Sequence, residues 1–549
     1  MRYSALLFTS LVLAWAGGSA VWAHEDHGHG PPAGIPPEQL GEVSFAVSCS
    51  DAAQREFNRA MALFHSFWFD PARASFAKVL QHDPECGMAH WGISLMSMGN
   101  PFTWAANPNA SRAGAPAAAE ALRVGAKTER ERGYIAALGA LFEDWESTEF
   151  RPRALAFEKA MEALAARHPE DIEAQILYAL ALNVTALPSD KSFANQKKAA
   201  ALLEPLLQRY PKHPGVAHYL IHTYDYAELA EKGLAAARAY SAIAPAVPHA
   251  LHMPSHVFAR VGLWQEVVEG NRASYLAAKG ELQETTLGIG TYDALHAMDY
   301  MVFGHLQQAE DELAKQLVDE AGAIRSVNVE NFVAAYALAA MPARYALERG
   351  DWAQAATLRL TPPDLAWERF PQAESILVFT RGLGAARSGD LAAARADVGR
   401  LEALQEAMRA AAMGYWPGQT AFQLSAVRAW IALAEGHGEE ALRLMREAAE
   451  AEEASDKHPV TPGNVVPTRE LLGEMLLELV RPSEALAEFQ RSLQRDPNRF
   501  RGIYGAARAA EEAGDRATAR VYYERLQALA SSDAPRPELA HARAFLSAR

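Results

Sequence analysis

Histidines occur in three segments at spacings that a helix would place on one side. His218 and His222 are four residues apart, and His252 and His256 repeat that spacing 34 residues later. Positions three, four and seven apart share one face of a helix, so Asp225 extends the first stripe. Imidazole nitrogen binds copper, zinc, iron and nickel. The spacing therefore predicts two helical histidine pairs that line one metal site.

Further candidate ligands flank these pairs. Because proline is favoured at the first position of a helix, we predict a helix that begins at Pro254, with His249 just before it. His296 and Asp299 form a third stripe, and Met253 offers a thioether, a soft ligand that favours copper over zinc or iron. The predicted metal-site residues are His218, His222, His249, His252, His256, His296 and Asp299, with Asp225 and Met253 as further candidates.

A structural alternative exists for all of them. Buried histidines can be hydrogen-bonded to neighbouring Tyr and Asp side chains without holding a metal. His65 and His90 either reach the same site or pack in the core, and His458 either caps a groove or shapes a turn. The sequence contains no HExxH motif, P-loop, dinucleotide fingerprint or Gly-x-Ser-x-Gly elbow. A nucleotide cofactor is not expected, and a metal-dependent oxidoreductase or hydrolase stays open.

The elements that must position these residues are helical. Alanine, leucine, glutamate and arginine dominate the chain and favour helix. The pattern Ala-x3-aromatic-x7-Pro occurs at residues 72–84 and 485–497, and it is typical of the 34-residue tetratricopeptide (TPR) unit. We therefore predict an all-α, TPR-like superhelical solenoid of antiparallel helical hairpins.

One repeat period separates the two histidine pairs. In a TPR solenoid they would occupy equivalent positions on the first helices of consecutive repeats, along the concave face. Four imidazoles would then form a compact square. A loop at residues 280–290 would absorb the six extra residues before His296.

The first hairpin also contains the two cysteines of the chain. We predict its helices at residues 51–67 and 71–82, so that Cys49 and Cys86 flank points that meet in an antiparallel pair. In an oxidising compartment they would form a disulfide. The alternative is two reduced, buried thiols.

The N-terminus predicts export. Arg2, an apolar stretch at 5–16 and the small-residue site Val21-Trp22-Ala23 are typical of a signal peptide over residues 1–23. No later stretch is apolar enough to span a membrane. The expected location is the periplasm or the exterior of the cell.

Three further regions follow the signal peptide. Residues 24–48 form a His/Pro/Gly-rich segment that is expected to be flexible. Its histidines, which bind metal or are merely solvated, are His24, His27 and His29. Residues 49–325 form a TPR-like region with the histidine cluster, and residues 326–549 form plainer TPR-like repeats.

The charge limits the class of partner. The formal net charge is −15 and the pI is about 5.7, without the basic stripe that a nucleic acid requires. Because TPR arrays present concave binding surfaces, the second hypothesis is a noncatalytic scaffold that binds a peptide or protein in its groove.

The chain also resembles a family of bacterial exported TPR-repeat proteins. The most specific segment is His-Ala-Leu-His-Met-Pro-Ser-His at residues 249–256. The other matching segments are residues 48–50, 63–67, 83–92, 213–222, 296–300 and 457–463. The resemblance implies a TPR fold but no established activity. Residues 99–104 depart from the His-Pro-Leu-Trp of such proteins, so the resemblance implies no ligand there.

Overall fold

The helices follow one another as hairpins whose apolar stripes face a shared core. The computed structural model describes residues 35–107, 109–280, 288–531 and 534–548. The α-helices are α1 (Asp51–His65), α2 (Phe69–His82), α3 (Gly87–Ser97), α4 (Ala110–Val124), α5 (Glu129–Phe142), α6 (Phe150–Arg167), α7 (Ile172–Thr185), α8 (Ala194–Arg209), α9 (Pro214–Tyr224), α10 (Leu234–Ile243), α11 (Pro248–His252), α12 (Pro254–Val261), α13 (Trp264–Gly280), α14 (Tyr292–Gln307), α15 (Asp311–Gly322), α16 (Phe332–Glu348), α17 (Trp352–Ala355), α18 (Pro371–Arg387), α19 (Leu391–Ala410), α20 (Trp416–Ala434), α21 (Gly438–Glu453), α22 (Thr468–Glu478), α23 (Pro482–Arg495), α24 (Phe500–Glu512), α25 (Arg516–Leu529) and α26 (Pro537–Ser547).

Little other regular structure accompanies them. Two strands of two residues, β1 (Ile289–Gly290) and β2 (Ser326–Val327), pair in parallel. Short 3₁₀ helices lie at Pro37–Gln39, Pro101–Ala106, Ala230–Gly233 and Trp367–Arg369. Consecutive helices pack as pairs, for example α1 with α2, α9 with α10 and α24 with α25. The predicted all-α, TPR-like solenoid is confirmed.

The repeat pattern has a visible packing cause. The Phe76 ring lies so close to Gly92 that a Cβ there would sit 2.4 Å from the ring. Phe489 packs in the same way on Gly505, also 16 residues later, where a Cβ would sit 2.3 Å away. An aromatic on one helix and a glycine on the next therefore let neighbouring helices approach closely in both copies.

The first hairpin begins and ends close to the predicted positions. The Ser50 hydroxyl caps α1 by accepting from the Ala53 N–H. Cys49 and Cys86, the pair expected to bond, have their sulfur atoms 2.08 Å apart and their Cα atoms 5.4 Å apart.

The loop between α21 and α22 contacts both α16 and the N-terminal half. The Arg344 guanidinium donates to the Gly463 carbonyl at 2.8 Å and to the Asn464 carbonyl at 3.0 Å. In the same segment, the Lys457 ammonium donates to Asp225 at 2.8 Å. The loop between α21 and α22 is therefore fastened against the region that contains the histidines.

Several sequence predictions concern residues that lie outside the described ranges. The signal peptide and the N-terminal histidines lie outside the described residues, as do positions 281–287 of the predicted loop. Buried apolar side chains form clusters spanning residues 40–303, 295–377 and 309–545, and the boundary near residue 325 stays a prediction. Among the described residues, no helix is long and apolar enough to cross a membrane.

Candidate metal centre

Three consecutive hairpins contribute the central histidines. His218 and His222 lie on α9, His249 and His252 on α11, His256 on α12 and His296 on α14. These are the first helices of their hairpins, since α10, α13 and α15 follow as the second helices. Helix α12 contacts α9, and α11 contacts α14. The stacking of first helices therefore brings the six rings together, as their spacing predicts.

The start of the middle helix differs from the prediction. The helical conformation begins at Pro248, not at Pro254, so His249 lies within a helix. Met253 keeps helical angles, φ −54° and ψ −36°, between α11 and α12. Pro254 lacks an N–H and interrupts the hydrogen bonding without turning the chain away. His249 and His252 consequently share a turn.

The six rings form two groups of three. In the first trio, the ligand atoms of His218, His222 and His249 all lie within 4.8 Å of one another. The second trio consists of His252, His256 and His296, whose ligand atoms also lie within 4.8 Å of one another. The predicted square of four rings is therefore wrong in its grouping, because the earlier helix start places His249 beside α9.

The first trio converges through its Nε2 atoms. His218 Nε2 lies 3.1 Å from His222 Nε2 and 3.2 Å from His249 Nε2. Four nitrogens around a metal at about 2.0–2.1 Å would be separated by roughly 3.3 Å in a tetrahedral arrangement. Phe67 packs on His218 with ring centroids 4.4 Å apart, and Phe102 stacks on His222 at 4.1 Å. This trio therefore has an aromatic wall.

The second trio has a polar surrounding. His252 Nε2 lies 3.0 Å from His256 Nε2, and the His252 and His296 ring centroids are 4.3 Å apart. The Tyr300 hydroxyl lies 3.4 Å from His256 Nε2. Ring centroids of the two trios are only 6.3 Å apart for His222 and His256. The two trios are therefore direct neighbours.

Hydrogen bonds decide which nitrogen of three rings bears the proton. His218 Nδ1–H donates to the His65 carbonyl at 2.6 Å, and His256 Nδ1–H donates to Asp225 at 3.1 Å. His252 Nδ1–H donates to Asn271 Oδ1 at 2.6 Å, and the Asn271 amide is oriented because its nitrogen donates to the Val267 carbonyl. In a neutral imidazole the other nitrogen is then a bare acceptor. The Nε2 lone pairs of His252 and His256 thus face each other.

Burial keeps these rings neutral. It lowers the pKa of His218, His222, His249 and His296 well below the ordinary value, and the neighbouring rings lower it further. Burial also lowers the pKa of His252 to about 3. The pKa of His256 is lowered by burial too, although the Asp225 carboxylate opposes this shift. Neutral imidazole is the form that ligates a metal.

Asp225 orients the second trio and does not belong to either trio. Its carboxylate accepts from His256 Nδ1, from Arg260 Nε at 2.9 Å and from Lys457 Nζ at 2.8 Å. Burial acts to raise the pKa of Asp225, but the Lys457 and Arg260 charges outweigh it and hold the pKa below its ordinary value. A carboxylate behind a ligating histidine fixes the ring and raises its basicity.

Other predicted candidates lie elsewhere. Asp299 is buried and pairs with Arg344 at 2.9 Å, so it is a charge partner of Arg344 and not a member of either trio. Met253 is fully buried and belongs to the apolar core cluster. His90 is half-buried on α3 and outside both trios, and His458 packs on the Trp416 ring with centroids 5.0 Å apart.

His65 uses both ring nitrogens within a separate group. Its Nε2–H donates to Glu173 at 2.9 Å, its Nδ1 accepts from the Tyr219 hydroxyl at 3.0 Å, and His213 donates to the other Glu173 oxygen at 3.0 Å. His65 is therefore not free to reach the trios with its ring. Its main-chain carbonyl is the part that orients His218.

Sequence patterns gave no signal for several supporting residues. Asn271 and Lys457 lie around the second trio but have no helical spacing to its histidines that indicates a site, whereas Arg260 follows His256 by four residues on α12 and could have been found from that spacing. Phe102 lies in the segment 99–104, where the resemblance implies no metal ligand, and its ring stacks on His222. Asn271 lies on α13, 19 residues after His252, so no local spacing connects the two.

Several solved structures are similar to this chain at low sequence identity. A structure of human IFIT1 with m7Gppp-AAAA is 12% identical, with 89% of this chain and 98% of that chain covered and a TM-score of 0.35. Yeast Tom70 is 12% identical, with 90% and 95% covered and a TM-score of 0.28. The P58(IPK) TPR domain is 11% identical, with 84% and 99% covered and a TM-score of 0.19. No family model and no curated protein sequence matches.

Proposed function

We propose that this chain is an exported, TPR-type metal-binding protein in which each histidine trio holds one metal ion. The observation that supports this most strongly is the direction of the ring nitrogens. His218, His252 and His256 each donate from Nδ1 to the protein and turn an unprotonated Nε2 toward other histidines. Bare lone pairs at 3.0 Å repel each other unless a cation lies between them.

The structural alternative explains only the hydrogen bonds that the Nδ1 atoms of these rings make. Hydrogen bonds to Asp225, Asn271 and a main-chain carbonyl are what a purely structural histidine would make. They do not explain why the Nε2 atoms of these rings lie close to other histidine nitrogens. A histidine that donates from Nδ1 to the protein and binds a cation through Nε2 accounts for both the hydrogen bonds and the close Nε2 atoms.

The proposed ion is copper, ahead of zinc and iron. Among the described residues, the two trios offer imidazole nitrogen and no carboxylate or thiolate. Paired iron in helical proteins is held largely by glutamates, and structural zinc commonly has cysteine among its ligands. Imidazole suits copper, so copper is the favoured ion.

The proposed location is the periplasm or the exterior of the cell. The predicted signal peptide at residues 1–23 and the Cys49–Cys86 pair support it, because disulfides persist in oxidising compartments. Whether the bound metal performs oxidation or hydrolysis stays a prediction.

Metal stoichiometry tests the proposal. Protein purified from its native compartment, or loaded with copper and freed of excess metal, is expected to contain two ions per chain by elemental analysis. The double variant H222A/H256A removes one ligand from each trio and should contain none. The matched control H437A/H541A removes two histidines that are exposed by 68% and 39%. It should keep both ions.

Circular dichroism of the double variant should remain helical, because His222 and His256 contribute little to the apolar core. A wild-type chain that never binds metal, or a helical double variant that keeps two ions, contradicts the proposal. The scaffold alternative then takes precedence. The TPR-type fold supports a protein-binding role, with a peptide or protein in the concave groove as the partner.

A further inference from the structure

We propose that the two trios form a single dinuclear copper centre that binds dioxygen as a bridging peroxide. This inference rests on the proposed function, since it requires copper in both trios. It goes further by assigning one substrate to both ions together.

Geometry gives the first argument. Between the trios, the His222 and His256 ring centroids are 6.3 Å apart and those of His249 and His252 are 6.2 Å apart. These separations are no larger than the 6.4 Å between His256 and His296, which belong to the same trio. Ions held at about 2 Å from each nitrogen are then close enough for one small ligand to touch both, as in two-metal sites with about 3.5–4 Å between ions.

Charge gives the second argument. All six ligands are neutral imidazoles, and the carboxylates of Asp225 and Asp299 are already paired with cations: Asp225 with Arg260 and Lys457, and Asp299 with Arg344. Two copper(II) ions would therefore bring four positive charges into a buried site whose six ligands include no anion. Uncompensated buried charge is strongly unfavourable.

Dioxygen solves this charge problem. Two copper(I) ions place two positive charges in the site. When each copper(I) gives one electron to dioxygen, the products are two copper(II) ions and one peroxide, which bridges them. No proton and no other reductant is needed, and the total charge of the site stays the same. Oxidation is therefore favourable only when the anion forms between the ions.

Access is compatible with a small substrate. His222, His249 and His296 are half-buried, whereas His218, His252 and His256 are buried. Of the three half-buried rings, His222 and His249 belong to the first trio and His296 belongs to the second. Together they form the outer side of the site. Phe67 and Phe102 cover the first trio and limit entry. The proposal places the entry of dioxygen on this side.

The experiment uses the full chain, loaded with copper(I) under inert gas and freed of excess metal. On admission of dioxygen, we expect one dioxygen to be consumed for every two coppers, measured with an oxygen electrode. The oxidised protein should give almost no copper(II) electron paramagnetic resonance signal, because the bridge couples the two unpaired spins. A chemical oxidant without dioxygen should oxidise the copper much more slowly.

Variants that lack one histidine ligand distinguish a coupled pair of copper ions from two independent copper sites. H249A and H296A each weaken a different trio, so each should retain one copper and lose the one-to-two uptake. After oxidation, the remaining copper should give a full resonance signal. H437A, on an exposed residue, should behave like the wild type.

The outcomes distinguish the two proposals. If no copper binds, the proposed function fails and this inference fails with it. If two coppers bind but each gives a full copper(II) signal, or if no dioxygen is consumed, the metal sites stand and the dinuclear centre is wrong. The wild-type signal and the wild-type dioxygen uptake together decide this, even if a variant does not fold, because unoxidised copper(I) also gives no signal but consumes no dioxygen.

Discussion

Each trio consists of three histidines, but the two trios have different surroundings. The first has Phe67 and Phe102 as walls and one ring fixed by a main-chain carbonyl. The second has two rings fixed by the side chains of Asp225 and Asn271. A carboxylate behind a ligand raises its basicity, and an apolar wall disfavours added charge. We therefore expect the second trio to hold copper(II) more tightly and the first to favour copper(I).

The largest expected effect is the response of the metal-free protein to acid. The pKa of each trio ring is lowered by burial, in His252 to about 3 against 6.5 for the unperturbed group. Between these values the unfolded chain binds more protons than the folded chain, so the free energy of unfolding falls as pH decreases. Each ring contributes up to about 1.4 kcal/mol per pH unit.

Denaturant titration at a series of pH values below 6.5 measures this loss. Copper should delay it, because the ion occupies the nitrogen that a proton would take. A metal-free stability that is constant from pH 6.5 to about 4 would contradict neutral, buried rings.

Much of the fold was predictable, and the reason is local. Helix propensity and the Ala-x3-aromatic-x7-Pro pattern are encoded within one repeat, so the positions of α1 and α2 and the TPR-like class followed from sequence. The six histidines were also found, because one helical face and one repeat period placed them together. The grouping into trios was not found, since it depends on the helical conformation of Met253 before a proline.

The surroundings of the trios were less predictable than the ligands. Lys457 reaches Asp225 across 232 sequence positions, and Arg344 fastens the same loop from another repeat. Such contacts depend on the curvature of the whole solenoid, which no local spacing reports. The same limit explains why Asp299 was taken for a ligand: its spacing to His296 is right, but its side chain pairs with Arg344 on α16.

Replacing the anchor of the second trio should affect that trio selectively. In D225N, His256 loses its carboxylate, and copper affinity of the second trio should fall roughly 10–100-fold while the first trio is unchanged. The free energy of unfolding should also fall by about 3–5 kcal/mol, because Arg260 and Lys457 lose a buried partner. Competition titration with a copper chelator resolves the two affinities.

D299N is the matched control for the stability loss. It also removes a buried carboxylate from an arginine, but Asp299 does not touch a trio ring in its ion pair with Arg344. It should lower stability and leave both copper affinities within a few-fold of the wild type. Equal weakening of the two trios in D225N, or the same selective loss in D299N, would show that Asp225 acts only through folding.

The smallest expected effect concerns the aromatic wall of the first trio. The Phe102 ring stacks on His222 with centroids 4.1 Å apart and planes 29° apart. Such a contact is worth about 0.5–1.5 kcal/mol, so F102L should weaken copper binding in the first trio by roughly 2- to 10-fold and leave the second trio unchanged. F332L is a suitable control, because Phe332 is also half-buried and packs on a histidine, His458, outside both trios. Chelator titration of both variants compares the effects: a change of the same size in F332L, or a larger change in the second trio than in the first, would mean that Phe102 does not hold the His222 ring in place.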